Sequence, residues 1–240
     1  MQIFLKTIEL LFGADGELRR IIATTLTLSV FSTGISSAIG ICLGTTLGRS
    51  QFRGKRFIMR ILHTLMSMPS VIAGLVVFML LSRKGPLGQF GLLFSMPAMV
   101  IAQVFLITPV IVGLSSTIVS ARAPQILETT RGLRLSKGAE IGLILRECRL
   151  QLLSVILMGF GRSISEVGAV SLVGGNVKYR TRVMTTTIML ETSMGNFEFS
   201  IALGILLLLI SLFVNSLAHF LQERGEKNLR NCESGQKIRR

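Results

Sequence analysis

The sequence predicts an all-α membrane protein: a bundle of about five transmembrane helices with the N-terminus outside and the C-terminus in the cytoplasm. Three observations carry this. Half of the 240 residues are hydrophobic and the mean hydropathy is +0.64, which leaves a soluble domain of this size too little polar surface. The apolar residues gather into five runs of roughly 20 residues or more, the length that crosses a hydrocarbon core of ~30 Å. Nearly all the Lys and Arg residues fall in the segments between those runs, where they determine topology.

Residues 1–20 read as an interfacial N-terminal helix and loop. Ile3, Phe4, Ile8 and Leu11 lie near one helical face that is too short to span, and a polar break follows at Gly13 to Glu17. No basic segment followed by a cleavage site is present, so no removable signal peptide is expected. Residues 21–220 then hold the membrane domain. The first run extends from Ile21 to Leu47, the second from Phe57 to Leu81 and the third from Phe90 to Val119. The fourth extends from Leu152 to Val173 and the fifth from Phe199 to Phe220. Pro69, Pro97 and Pro109 lie inside or at the edges of the second and third runs, where neighbouring helices can satisfy the freed carbonyls. Small residues fill the first run, among them Ser29, Ser32, Ser36, Gly40 and Gly44. They allow close helix packing, and the hydroxyls of Thr24 or Thr25 are an alternative contact for a ligand.

The loops set the orientation. The loop after the first run, the loop at 120–150 and the tail at 221–240 carry seventeen Lys and Arg residues, against eight on the opposite side. The richer side is expected to be cytoplasmic. A net charge of +14 could also suggest nucleic acid, but basic residues interleaved with aromatic ones, as a stacking platform needs, are absent. Cys42, Cys148 and Cys232 are odd in number and scattered, which implies neither a disulfide framework nor a metal site.

Catalytic chemistry finds little support. Gly48 to Arg56 superficially resembles a phosphate-binding loop, but five residues separate its glycines, and Arg56 stands where Ser or Thr should hold magnesium. Asp15 is the only Asp, and His63 and His219 lie far apart near run ends. No paired-carboxylate or nucleophile motif occurs, so the chain is expected to be no enzyme and to bind no cofactor itself. Two features stand out instead. The fourth run carries Arg162, Ser163 and Glu166, with Arg162 about 15 Å from the cytoplasmic end of the run. Arg162 and Glu166 are four apart and so would share a helix face. They would neutralise one another, expose Arg162 to an anion in a pathway, or contact a second subunit. The second feature is Pro124 to Leu133, which reads as a short helix with Pro124 in its first turn. It would be either an interfacial connector or a docking helix for a partner's groove.

Glu128-Thr-Thr-Arg-Gly-Leu133 resembles the Glu-Ala-Ala loop of the permease subunits of ATP-binding-cassette importers, in the branch for molybdate, tungstate and sulfate. Gly161 to Ala169, Met68 to Leu75 and Ala98 to Gln103 resemble further stretches of that family. Glu166 to Asn176 and Thr181 to Ser193 are most similar to the tungstate permeases. The family motif asks for Gly at position 134, which is Arg here, and for an Ile-x-Leu-Pro where Ile144 to Glu147 stands. The resemblance implies an ATP-driven oxyanion importer, most closely for tungstate, in a bacterial or archaeal inner membrane. It implies as partners a second copy of this chain, cytoplasmic ATPase subunits carrying ATP and magnesium, and an extracytoplasmic oxyanion-binding protein. Glu128, Thr129, Thr130 and Leu133 would couple to the ATPase. Molybdate or sulfate transport, a stand-alone carrier and a membrane receptor remain the other readings.

Overall fold

The computed structural model describes residues 16–132 and 136–237. The elements are α1 (Gly16–Arg49), α2 (Lys55–Met66), α3 (Ser70–Leu81), α4 (Met96–Gly132) and α5 (Lys137–Glu147). They continue with α6 (Arg149–Ile164), α7 (Gly168–Gly174), α8 (Met184–Ser193) and α9 (Phe197–Lys237). Among the described residues α1, α4 and α9 are each long and apolar enough to cross a membrane, and two bent pairs raise the crossings to as many as five. Large apolar side chains on the outside, such as Leu208, Leu212 and Phe213, suit a hydrocarbon surround.

The bent pairs correct two readings of the sequence. The second apolar run is not one straight helix: α2 and α3 meet at 97°. Pro69 lacks an N–H and disfavours helical backbone at Met68, so the chain breaks there and restarts with Pro69 at the N-cap of α3. The fourth run breaks too, with α6 and α7 at 57°. A third correction concerns Pro124. It opens no separate helix, because α4 runs through both Pro109 and Pro124 to Gly132. Each proline removes one hydrogen bond, a loss that neighbouring groups absorb. The described part of α1 reaches back to Gly16, five residues ahead of the apolar run, with Glu17 near that end and Arg49 in its last turn, charges that complement the helix dipole.

The core is organised around α1 against α4. Ser32 meets Gln103, an offset of 71 residues, and Gly40 faces Ile111, Gly44 faces Ser115 and Gly48 faces Val119 at the same offset. Both numbers rise together, so the two helices run parallel, as first and third crossings of an alternating bundle must. The residues of this row are spaced by four or by twice four, so they stay on one face. The absence of a Cβ at the three glycines lets the backbones touch.

The two breaks lie against one another. A Cβ on Gly168 would lie 2.8 Å from Ser70 Oγ, and one on Gly74 would lie 2.6 Å from the Ala169 Cα. Val77, Leu81, Ala98, Ala102, Ala169 and Val173 close this region into one cluster. At the other end of α1, Leu18 and Ile21 pack with Met184, Leu203 and Leu206, which seats α8 and α9.

Candidate functional site: the broken fourth span

α6 ends at Ile164, and its terminal carbonyls find partners within the bundle. Ser165 N–H donates to the Gly161 carbonyl and Glu166 N–H to the Ser163 carbonyl, both at 3.3 Å. The Ser163 carbonyl also accepts from Gln103 Nε2 at 3.0 Å. Gln103 Oε1 lies 2.6 Å from Ser32 Oγ and 2.7 Å from Ser163 Oγ. The two hydroxyls are 2.9 Å apart. All three residues are essentially inaccessible. Gln103 thus ties α1 and α4 to the broken end of α6, where an uncapped carbonyl inside a membrane would be costly.

Beyond the break, Glu166 turns its carboxylate onto α7, whose Ala169 N–H donates to Oε1 at 3.0 Å. Thr185 Oγ1 of α8 donates to the Glu166 carbonyl at 2.9 Å. The expected arrangement of Arg162 and Glu166 on one helix face therefore does not form, because the helix stops between them. The ion pairs seen among the described residues are Arg49 with Glu140, Lys178 with Glu17 and Arg182 with Glu17. Arg162 Nε is buried and has no hydrogen-bond partner among the described residues, and the same holds for the hydroxyls of Ser29, Thr33, Ser36 and Ser37 on α1. Next to the break, the bundle thus holds one guanidinium donor and several hydroxyl donors that the fold leaves unused. Thr25 instead serves the fold, bonding the Ile21 carbonyl at 2.7 Å and accepting from Met184 N–H at 2.9 Å.

Sequence reasoning weighed Arg162, Ser163 and Glu166 but passed over Gln103 and Ser32 as site residues. The signal was available: Gln103 is the one amide in the apolar third run, and polar groups inside a span mark function or structure. Replacing Gln103 with Leu removes the donor to Ser163 and the acceptor for two hydroxyls. We expect a loss of about 1–2 kcal/mol in stability, read as a lower melting temperature in detergent. Gln103→Glu, which keeps the acceptor, should lose less than Gln103→Leu; equal losses would remove the network from the account.

On the side of the 120–150 loop, Glu128 is exposed while Thr130 is buried and donates to the Leu127 carbonyl at 3.1 Å. The Thr129 side chain and Leu133 lie outside the described residues. Within the loop expected at 120–150, residues Lys137–Glu147 form the helix α5. Ser136 caps it, accepting from Ala139 N–H at 3.3 Å, and Ile144 packs with Val119, Ala123, Cys148 and Leu152. Arg49, at the end of α1, pairs with Glu140 of α5. Burial pushes the Cys148 thiol up from its ordinary pKa, against the pull of Arg122. The loop is therefore anchored to three helices. At the opposite end of α1, Glu17 holds Lys178 at 2.8 Å and Arg182 at 3.2 Å. Its hydrogen bond keeps the Lys178 ammonium above the usual lysine pKa.

Residues 40–227 match the family described as binding-protein-dependent transport system inner membrane component. The tungstate uptake system permease protein of Peptoclostridium acidaminophilum is 43% identical over 220 residues, 92% of this chain and 96% of that protein. Its counterpart in Campylobacter jejuni is 38% identical over 219 residues, 91% of this chain and 92% of that protein. A solved bacterial ABC transporter involved in import of the acidic polysaccharide alginate superposes with a TM-score of 0.71 at 18% identity, covering 93% of this chain and 83% of that one. That likeness supports the fold. With nearly four-fifths of its length matched, this chain belongs to the family of binding-protein-dependent transport system inner membrane components.

Proposed function

We propose that this chain is the membrane permease of an ATP-driven tungstate importer. The observation that carries the reading is the identity to two tungstate uptake permeases over nine-tenths of the chain. The donors at the broken fourth span fit an anionic cargo. Arg162 supplies one charge, and the unpartnered hydroxyls supply neutral donors, enough to hold a tetrahedral dianion without trapping it. Ser163 and Glu166 sit on either side of the break and shape the pathway, while Gln103 keeps the break in place.

In this reading two copies of the chain face one another, and an extracytoplasmic oxyanion-binding protein delivers the cargo. Cytoplasmic ATPase subunits carry ATP and magnesium. The N-terminus is outside and the C-terminus inside, residues 21–220 are the transport domain, and residues 221–240 form a basic cytoplasmic tail. Glu128, Thr129 and Leu133 couple to the ATPase, while Thr130, buried against the Leu127 carbonyl, holds this end of α4 together. ATP binding draws the two coupling segments together and turns the pathway outward; hydrolysis returns it inward. The anchoring of α5 to α1, α4 and α6 supports this reading, because a push on the loop would reach the helices around the break. Such a push acts only if the two arrangements differ in free energy between the nucleotide states.

Tungstate uptake in cells with and without this gene tests the reading, with excess molybdate or sulfate as competitor. Gene-dependent uptake that resists both competitors is the expected result. Uptake that either competitor blocks equally well would replace tungstate by a broader oxyanion class, and no gene-dependent uptake would remove the permease reading. Within the same assay, Arg162→Ala should lower uptake about tenfold or more, the effect of one lost charge-assisted bond. An unchanged rate and apparent affinity would take Arg162 out of the pathway. Orientation is read separately: a Cys introduced at Lys178 should label from outside intact cells.

A further inference from the structure

The second broken span contains a helix that the transport reading leaves unused. α2 is 12 residues long, none of them buried, and its two faces differ in kind. Arg56, Arg60 and His63 line an open cleft of about 870 Å³ together with Arg53 of the preceding loop. Ile58 and Leu62, from the other face, line an apolar cavity of about 480 Å³ with Leu43, Leu47 and Val112. The Phe52 ring belongs to the walls of both. A groove lined by basic side chains and an apolar pocket therefore adjoin at one aromatic residue.

The level of α2 along the bundle gives this arrangement meaning. Lys55 Nζ is 3.1 Å from Ser120 Oγ, and Ser116 Oγ is 3.6 Å from Met59 Sδ. Met66 Sδ packs where a Cβ on Gly113 would be. The helix thus occupies the level of residues 113–120 of α4, just ahead of Arg122, the first charge of that helix. This is where apolar span gives way to charged surface, the depth at which amphipathic helices lie. Lys55 is already engaged, donating to the Gly48 carbonyl at 3.0 Å. Arg56 and Arg60 are exposed.

We infer that α2 and its two cavities form a binding site for an anionic phospholipid. The phosphate sits among Arg53, Arg56 and Arg60, and one acyl chain enters the apolar cavity at hydrocarbon depth. Guanidinium groups suit a phosphate because their forked donors match its oxygens. A basic loop that only set topology would need no apolar cavity beside it, and a transported oxyanion would have no use for one. Placing the site in the cytoplasmic leaflet rests on the orientation proposed above. The lipid site itself does not, and its test uses no leaflet asymmetry.

The test is native mass spectrometry of the full chain in detergent, titrated with phosphatidylglycerol or phosphatidylcholine of identical acyl chains. Wild type should bind phosphatidylglycerol about 25-fold tighter than phosphatidylcholine. Each Arg near an anionic headgroup contributes about a fivefold factor, so R56Q/R60Q should bring the two lipids to near-equal affinity. R83Q/K84Q, a basic pair beyond the far end of α3, should keep the wild-type preference. Leu62→Trp, which fills the apolar cavity, should weaken both lipids alike. Melting temperatures check that the variants fold, and Arg53→Gln, outside any helix, is a second headgroup variant. Equal affinity of wild type for both lipids would overturn the proposal. So would a preference that survives both R56Q/R60Q and Arg53→Gln, or displacement of phosphatidylglycerol by tungstate, which would assign the cleft to the transported ion.

Discussion

Gly44→Leu should prevent accumulation of folded protein, while Gly34→Leu, ten residues earlier on the same helix, should be tolerated. A Cβ at Gly44 would lie 2.6 Å from the Ser115 Cβ, 2.9 Å from the Val112 carbonyl oxygen and 3.2 Å from the Ser116 nitrogen. Two of those three atoms are α4 backbone, so no rotamer change relieves the clash. Nor can α1 move away locally. Gly40 presses on Ile111 one turn before, and Gly48 on Val119 one turn after, so the whole interface would have to open. Overpacking of a tight interior costs about 1–3 kcal/mol for added methylenes, and a full isobutyl group against backbone lies at or above that range. A folded state with a margin of about 5–15 kcal/mol loses much of it. At Gly34 a Cβ would meet nothing within 4 Å, and replacing Gly in a helix is otherwise favourable by up to about 1 kcal/mol. Size-exclusion profiles of detergent extracts after stepwise heating measure both variants. Equal melting of the two would show that the close α1–α4 contact does not support the fold.

The crossings were legible because hydropathy is summed over some twenty residues, and single exceptions such as Gln103 or Arg162 do not change the sum. The breaks within them were harder to read. Pro69 was visible in the second run, but the 97° turn depends on how α3 settles against Ala98, Ala102 and Ala169, which no local signal encodes. In the fourth run the four-residue spacing of Arg162 and Glu166 suggested one face of one helix. The competing signal was Ser165 and Glu166 just before Gly168, an end followed by a carboxylate that can accept from the Ala169 N–H. At Pro124 the opposite error occurred, with a break expected where the helix continues. The pairing of Gly40, Gly44 and Gly48 with residues 71 positions later depends on loop lengths and on the course of the second span. The small residues advertised a close contact, yet could not name its partner. Of the site, Arg162 and Glu166 were legible through the cost of charge inside a membrane. Ser32 escaped because a hydroxyl among many small residues looks like packing until its partner is seen.

Glu128→Lys should leave the permease folded and abolish its function. Glu128 is exposed near the C-terminal end of α4, and an exposed substitution clear of special features changes stability by about 0.5 kcal/mol or less. A cation near a helix C-terminus is, if anything, favoured by the dipole. Any large effect must then come from a partner. If the stretch from Glu128 to Leu133 docks the ATPase, reversal replaces an attraction by a repulsion. Losing a buried charge contact across an interface costs about 2–5 kcal/mol, so co-purification of the ATPase should fall by about thirtyfold or more. Uptake should drop to the level of cells lacking the gene. Glu191→Lys on α8, whose carboxylate accepts from Asn196 Nδ2 at 2.9 Å, makes the same charge change far along the chain and should retain the ATPase. The melting temperature separates the two causes of failure: a folded Glu128→Lys permease without ATPase locates the coupling contact. If that variant kept both the ATPase and uptake, the coupling segment would have to lie elsewhere. The exposed face of α5, held by the Arg49–Glu140 pair, would be the next surface to reverse.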